Sequence, residues 1–169
     1  MDMYFSAKTQ TLVQFKEIYD KGLLNETPKN GSPVIFCAMA NQTPQNRYDI
    51  VSFLMDEGED LNGTNEEGET LFHILFSRPK HIMEQTVELT LILIDEGVDI
   101  NQLDAKHRVA IQYLISHPKF TDEDFAPLYD VIFKRCTLEL NIKNDWGYTP
   151  IELAQKLPYR AELLKRMTK

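Results

Sequence analysis

Apolar residues in this chain fall into short and long runs that alternate. Short apolar segments follow Ser32-Pro33, Thr70-Leu71, Val109-Ala110 and Thr149-Pro150. Longer runs occupy residues 50–55, 87–94 and 125–133, where apolar residues stand at helical spacing or on nearly every side of a helix. The pattern therefore predicts short helices that alternate with longer helices buried between neighbours.

The short segments are copies of one motif. Three of its four copies open with Ser or Thr and two continue with Pro, which is typical of a helix N-cap followed by the first helical residue. Pro79 and Pro118 stand eight residues beyond the second motif position, and Pro44 stands eleven beyond it. Because the residue before a proline disfavours the helical region, each short helix should have about two turns.

A second repeated segment, Asp-Glu-Gly followed by an acidic residue and Asn, lies at 56–62 and 95–101 and returns degraded at 135–141. Gly58 and Gly97 are predicted to end the long helices. From the motif to the glycine position the intervals are 25, 26 and 27 residues (33 to 58, 71 to 97, 110 to 137). The return interval is always 13 residues (58 to 71, 97 to 110, 137 to 150), which indicates a connector of fixed geometry.

Both ends of the chain carry helical patterns outside the four motif copies. Residues 11–20 are predicted to form a helix that ends at Gly22. After Pro158, the apolar residues Tyr159, Leu163, Leu164 and Met167 predict a final helix. Such terminal helices are expected to cap a stack of repeats.

The order of short helix, long helix and connector resembles the ankyrin-repeat family. The best motif copies are residues 147–154 and 68–73, and the resemblance covers roughly residues 28–157. It implies an all-α, ankyrin-like solenoid with an N-terminal cap at 1–27 and repeats at 28–66, 67–104, 105–144 and 145–169, the last with a C-terminal cap. The repeat length departs from the family's period of about 33 residues, since 33 to 71, 71 to 110 and 110 to 150 span 38, 39 and 40.

Composition narrows the class of protein. The chain has 169 residues of which 43% are hydrophobic, so we expect one elongated domain. No run of 18 apolar residues and no signal peptide is visible. We expect Cys37 and Cys136 to be small buried groups in a reducing compartment, and hence a cytoplasmic protein.

The net charge of −8 argues against nucleic-acid binding and is compatible with a basic partner. The acidity is concentrated in one connector, at residues 56–69, whereas the last helix is basic. This acidic segment is either a solvated surface or a surface that attracts a partner of opposite charge.

The residues indicate no catalytic or metal centre. His81, His107 and His117 have no Cys or His at ligand spacing, and no phosphate-binding or zinc-protease motif occurs. The ankyrin resemblance implies a structural hydrogen-bonding role for His73. We therefore expect a non-enzymatic protein without cofactor or metal.

The resemblance implies that the connector tips and short helices form a concave strip that binds another protein. The candidate residues are Glu66, Glu67, Glu69, Arg78, Lys106, His107, Arg108, Asp145, Trp146 and Tyr148, with Met39, Ser77, Ser116 and Lys156 on the short helices. Trp146 is either an exposed anchor or packed onto its own repeat. The predicted function is that of a monomeric protein-interaction module; the alternative is a stoichiometric inhibitor or immunity-type protein that masks a basic partner.

Overall fold

The computed structural model describes residues 1–29 and 31–169, and within them the chain is all-helical with no β-strand. Two 3₁₀ helices occupy Lys21–Leu23 and Pro158–Arg160. The α-helices are α1 Met3–Thr9, α2 Leu12–Ile18, α3 Val34–Met39, α4 Pro44–Glu57, α5 Leu71–Phe76, α6 Met83–Asp95, α7 Ile111–Ile115, α8 Asp122–Arg135, α9 Pro150–Gln155 and α10 Ala161–Met167. The all-α prediction is thereby confirmed.

The helices pack in two rows. Helices α1, α3, α5, α7 and α9 contact one another in sequence, and so do α2, α4, α6, α8 and α10. One buried core runs between the rows from Met3 to Met167. Helix α5 lies in its middle with every residue buried. In the described part of the chain, no helix combines the length and apolar character needed to cross a membrane.

The short helices begin in different ways. Thr70 and Thr149 form capping boxes with the residues three positions later, as the motif predicts. The prediction for Ser32 is wrong, because Pro33 is the N-cap, has no side chain able to accept a hydrogen bond, and leaves Val34 as the first helical residue. The first motif copy therefore starts one residue later than its sequence suggests.

The long helices end largely as predicted. Gly58 is the C-cap of α4 with a left-handed φ of 99°. The C-cap of α6 is Glu96, and Gly97 follows it with a φ of 77°. Helix α8 has a capping box at its start, formed by Thr121 and Asp124. The fixed connector thus begins where a left-handed residue stops the helix in two of its three copies.

The N-terminal unit contains a helix that the pattern did not predict. Helix α1 precedes the predicted segment, whose helical part is limited to Leu12–Ile18. The side chain of Asp2 caps α1 by accepting from the backbone N–H of Phe5 at 2.7 Å. Helix α1 packs on α3 and buries Met3, Ser6 and Ala7. Two of these residues are small and give little hydrophobic signal in the sequence.

Two arginines are fully buried beside the loops that join short helices to long ones. Arg47 donates to the backbone carbonyls of Asn41 and Lys80 at 3.2 and 3.1 Å. Arg160 donates to carbonyls between α7 and α8 and to Asp122. A buried cation is tolerated only when its donors are satisfied, so these side chains fix the long loops between the rows.

Candidate functional site

Three equivalent turns project from the connectors between α4 and α5, α6 and α7, and α8 and α9. They begin at Asn65, Asp104 and Asn144. In each turn the side-chain Oδ1 accepts hydrogen bonds from the backbone N–H groups two and four residues later, at 2.8 to 3.1 Å. An Asn or Asp at this position therefore specifies the turn.

The turns stack on one another through the backbone. The N–H of Ala105 donates to the carbonyl of Glu67 at 2.8 Å, and the N–H of Asp145 donates to that of Lys106 at 3.0 Å. The fourth residue of each turn has a positive φ, and in the middle turn it is His107, with a φ of 57°. The stacking places the predicted tip residues of the three connectors in one row.

Two glycines in these turns form a matched pair for a stability test. Gly68 and Gly147 both have a positive φ, so an alanine at either is strained by about 1–2 kcal/mol. A Cβ at Gly68 would also lie 3.0 Å from the backbone N of Ala105, whereas one at Gly147 has nothing within 4 Å. We expect Gly68→Ala to lower the free energy of unfolding in urea by about 1–3 kcal/mol more than Gly147→Ala. Equal losses would contradict the close stacking of the turns.

A cleft of about 450 Å³ opens between the second and third turns and the short helices. We name it the aromatic cleft. It is lined by Ser77, Arg108, Gln112, Tyr113, Ser116, His117, Pro118, Asn144, Trp146, Tyr148 and Leu153. The cleft therefore combines tip residues with residues of the short-helix row.

Trp146 stands on the wall of the cleft with 58% of its surface exposed. Of the two interpretations of this residue, the structure agrees with exposure. The ammonium of Lys106 and the guanidinium of Arg108 each lie 5.6 Å from its ring centroid. The ammonium of Lys156 lies 4.5 Å from the ring centroid of Tyr148. Cations on ring faces hold both aromatic side chains in place without covering them.

Arg108 is fixed by its neighbours on the other side of the cleft. Its Nε donates to Oδ2 of Asp104 at 2.8 Å, and its guanidinium lies 4.6 Å from the ring centroid of Tyr113. The Tyr113 hydroxyl stands 2.7 Å from Asp104 Oδ2 and 2.9 Å from Glu69 Oε1, and it can donate to one of them at a time. Burial alone would raise the pKa of Asp104, but the hydrogen bonds it accepts from Arg108, Tyr113 and Lys106 lower that pKa. The ionised carboxylate thus fixes both side chains.

Gln112 occupies in α7 the position that His73 occupies in α5. His73 completes a capping box with the hydroxyl of Thr70, but Val109, the matching residue of the third copy, has no hydroxyl. Gln112 instead accepts from Asn144 Nδ2 at 3.3 Å through its Oε1. Its Nε2 is buried and has no hydrogen-bond partner in the described residues. Gln112 therefore lines the cleft, while its unpaired Nε2 is enclosed by the protein.

The acidic turn is only partly available to a partner. Glu66 and Glu67 are exposed. Glu69 is half-buried, where it accepts from Asn65 Nδ2 at 2.8 Å and lies against Tyr113 as described. Two of the three predicted acidic residues therefore remain free at the surface.

Arg78 and the candidates on the short helices are also only partly available to a partner. Arg78 donates from Nε to the carbonyl of Ile74 at 3.0 Å and from Nη1 to that of Ala40 at 3.1 Å, so its polar head already stabilises the loop after α5. Met39 is fully buried, and its predicted place on the surface is wrong because its side chain belongs to the hydrophobic core. Ser77 lines the aromatic cleft.

Three histidines have structural roles: His73 and His117 are buried, and His81 is half-buried. His73 Nε2 lies 2.8 Å from the carbonyl of Arg108, and His117 Nε2 lies 2.8 Å from that of Arg78. Burial lowers the pKa of His73, His81 and His117, that of His81 to about 3. These rings therefore stay neutral at pH 7 and serve as fixed hydrogen-bonding groups.

The thiols offer no nucleophile at neutral pH. Cys37 and Cys136 are free and half-buried. Burial raises the pKa of both, that of Cys37 to about 11, so each remains protonated. Within residues 1–29 and 31–169, no group of three His, Cys, Asp or Glu side chains is placed to hold a metal ion.

The structure brings part of the predicted set together and leaves the rest along the turn row. Arg108, Trp146 and Tyr148 line the cleft, while Lys106, His107 and Asp145 stand on the tips beside it, where His107 Nδ1 lies 2.7 Å from Asp145 Oδ1. Gln112, Tyr113 and Leu153 also line the cleft, and they were not among the predicted residues. The signal for Gln112 was its place in the motif, three residues after a Val that replaces Thr. As partner-binding residues, all ten candidates remain predictions.

Comparison with known proteins gives information about the fold of the chain and none about its function. No protein-family model and no curated protein matches the chain. The chain is similar to a crystal structure of a functionally unknown protein from Leptotrichia buccalis C-1013-b, with 28% sequence identity and a TM-score of 0.82. The match covers 99% of this chain and 91% of that one. The all-helical fold is therefore shared with a solved structure over almost its whole length.

Proposed function

We propose that this protein is a non-enzymatic protein-interaction module with an ankyrin-like solenoid architecture. Its partner protein is taken up on the face formed by the turn row and the short helices. The two rows of helices, the stacked turns and the repeated motif support this reading, because stacked units of this kind expose one long continuous surface.

The observation that carries the proposal is the aromatic cleft. Its wall holds an exposed Trp146 beside Tyr148, and these residue types are enriched among interface anchors. Arg108 stands next to them, and arginine shares this enrichment. A preformed cleft with rigid aromatic walls can bind a partner at a small entropic cost.

Catalysis is not part of the proposal, because the titratable groups of the cleft are engaged in structural contacts. Asp104 and Tyr113 bind each other and Arg108. His117 accepts at Nδ1 from the backbone N–H groups of Lys119 and Phe120, and its Nε2 donates to the carbonyl of Arg78. A general acid or base needs a group that can exchange its proton with a substrate.

The test compares proteins retained from a lysate of the source cell by wild-type and variant baits. We expect Trp146→Ala with Tyr148→Ala to lose the partner, with affinity falling by about 30-fold or more, because central aromatic anchors contribute about 2 kcal/mol or more. The melting temperature should change little, since Trp146 is mostly exposed. Quantitative mass spectrometry and thermal unfolding provide the two measurements.

The matched control is Phe5→Ala, which removes another aromatic side chain that is 54% exposed and lies outside the cleft. It should retain the same partner as wild type. Equal retention of the partner by all three baits would contradict binding at the cleft. A sharp fall in melting temperature for the double variant would instead make the two aromatics structural.

A second candidate, the masking of a basic partner, is supported by the exposed carboxylates of Glu66 and Glu67 and by the net charge of −8. Opposite charge raises association rates and selects partners. The bait Glu66→Gln with Glu67→Gln separates the two candidates. Loss of the partner with this bait alone would favour masking over binding at the cleft.

A further inference from the structure

Asparagine stands at the same position in the N-terminal unit and in the first two connectors, at residues 25, 62 and 101, each time after Leu or Ile. In two of these three places its side chain bridges to the next connector. Asn101 accepts from the N–H of Glu139 through Oδ1 and donates through Nδ2 to the carbonyl of Thr137, both at 2.8 Å. Asn25 makes the same two kinds of bond to the first connector, at 2.6 and 3.4 Å. Both carboxamides are therefore held at each end.

The carboxamide of Asn62 makes no such bridge in the described part of the chain. Asn62 is exposed, and its Nδ2 donates to Oδ1 of Asp60, two residues earlier, at 3.3 Å. The following residue, Gly63, is also exposed, and a Cβ added to it would have nothing within 4 Å. Its N–H donates to no acceptor among the described residues. The side chain of Asn62 and the backbone nitrogen after it are therefore both unshielded.

An unshielded asparagine before glycine can react with its own backbone, since asparagine is a chemically labile residue and glycine has no Cβ beside its nitrogen. The glycine nitrogen attacks Cγ of the asparagine and forms a C–N bond, while Nδ2 leaves as ammonia with the proton from that nitrogen. The product is a five-membered succinimide. Water then opens the ring at one of its two C–N bonds. Breaking the bond to Cγ yields aspartate, and breaking the bond to the main-chain carbonyl carbon yields isoaspartate.

We propose that Asn62 is a deamidation site of the folded protein and that the equivalent Asn25 and Asn101 are protected by their bridges. The sequence supplies one part of this difference, since of the three asparagines only Asn62 is followed by glycine. The fold supplies the other part, because a carboxamide bound at both ends cannot turn Cγ toward the next backbone nitrogen without breaking its bonds. The site is independent of the proposed binding function.

The modification changes the connector between α4 and α5 in two ways. It adds one negative charge to the segment that carries the exposed Glu66 and Glu67, in a chain whose net charge is −8. In the isoaspartate form it also inserts a methylene group into the main chain, within the interval from Gly58 to Leu71 that keeps its length of 13 residues in all copies. Fresh and aged protein therefore differ in the connector that leads to the acidic turn.

The test incubates the full chain at mildly alkaline pH and physiological temperature and maps each asparagine by tryptic digestion and mass spectrometry. Asn62 and Asn101 fall in different peptides, because trypsin cleaves after Lys80 between them. We expect Asn62 to be converted at least about tenfold faster than Asn101, a ratio that corresponds to a barrier difference of about 1.4 kcal/mol. Electron-based fragmentation distinguishes isoaspartate from aspartate. The other Asn-Gly pair, at residues 30–31, is read from its own peptide.

Two comparisons separate the effect of the fold from that of the sequence. The folded chain should convert Asn62 at a rate within about tenfold of that in urea, because the fold leaves the site open. The variant Gln102→Gly places a glycine after Asn101 as well, and the bridged Asn101 should still react at least about tenfold more slowly than Asn62 in the folded protein. Slower conversion of Asn62 in the folded chain than this, or equal conversion of the two asparagines in folded Gln102→Gly, overturns the inference. Either result leaves the binding test at the aromatic cleft unaffected.

Discussion

Replacing Arg160 by methionine should lower the free energy of unfolding by about 3–5 kcal/mol, the usual cost of breaking a buried ion pair from one side. The side chain is fully buried. Its donors reach the carbonyls of Ile115, His117 and Phe120 at 2.9 Å each and Oδ1 of Asp122 at 3.2 Å. Methionine can fill the space, but it leaves these acceptors without a donor. Urea unfolding followed by far-ultraviolet circular dichroism measures the loss.

The loss of stability should be large because Asp122 also accepts hydrogen bonds from a second helix. Its Oδ2 accepts from the backbone N–H groups of Glu162 and Leu163 at 3.0 and 3.2 Å, at the start of α10. Arg160 and Asp122 together therefore join α8 to the terminal helix. Without the arginine, the capping carboxylate loses its cation.

An exposed arginine provides the matched control. Arg135 pairs with Asp95 at 2.6 Å, and their side chains are 42% and 62% exposed. Arg135→Met should change the free energy of unfolding by no more than about 1 kcal/mol, because water screens such a pair. Similar losses for the two variants would show that Arg160 has no special structural role.

Acid should destabilise the fold between pH 6.5 and 5 through its buried histidines. Burial, reinforced by the nearby Arg47 and His117, lowers the pKa of His81 from 6.5 to about 3. The unfolded chain takes up a proton near pH 6.5 and the folded chain does not, so falling pH favours unfolding. His81 alone then accounts for about 2 kcal/mol at pH 5. His73 and His117, whose pKa values burial also lowers, act in the same direction.

Chemical denaturation at several pH values checks this expectation. The variant His81→Phe removes one titrating group from an aromatic cluster that already contains Phe120 and Phe125, so its stability should fall less steeply with pH than that of wild type. Glu59 acts in the opposite sense, because burial raises its pKa. Stability that is constant from pH 7 to 5 in the wild type would contradict the buried, neutral state of these rings.

The helix pattern was largely predictable because each element carries its own local signals. Thr70 and Thr149 cap helices as the sequence suggests, and Gly58 ends one. The failure at Ser32 has a local cause: the following Pro33 takes the N-cap position, and a proline has no side-chain acceptor. Helix α1 was missed because two of its three buried residues, Ser6 and Ala7, are small and give no strong apolar period.

The cleft was only partly predictable because it depends on contacts between repeats. Trp146, Tyr148 and Arg108 were found through the resemblance to ankyrin connectors. Gln112 was not, since its unpaired donor results from Val109, three residues before it, and from Asn144, which lies 32 residues further along the chain. A local sequence pattern does not show that one hydrogen-bond partner is missing and that another lies far along the chain.

Binding at the aromatic cleft is tested most directly by fluorine NMR of the protein labelled with 5-fluorotryptophan. The label places a single fluorine on Trp146, because the chain contains one tryptophan. The partner retained by wild type and lost by the double variant is added in its unlabelled form, and complex formation is followed in parallel by size-exclusion chromatography. We expect the resonance of Trp146 to shift in proportion to the complex formed. An unchanged resonance in a sample that is fully bound would place the partner elsewhere on the protein.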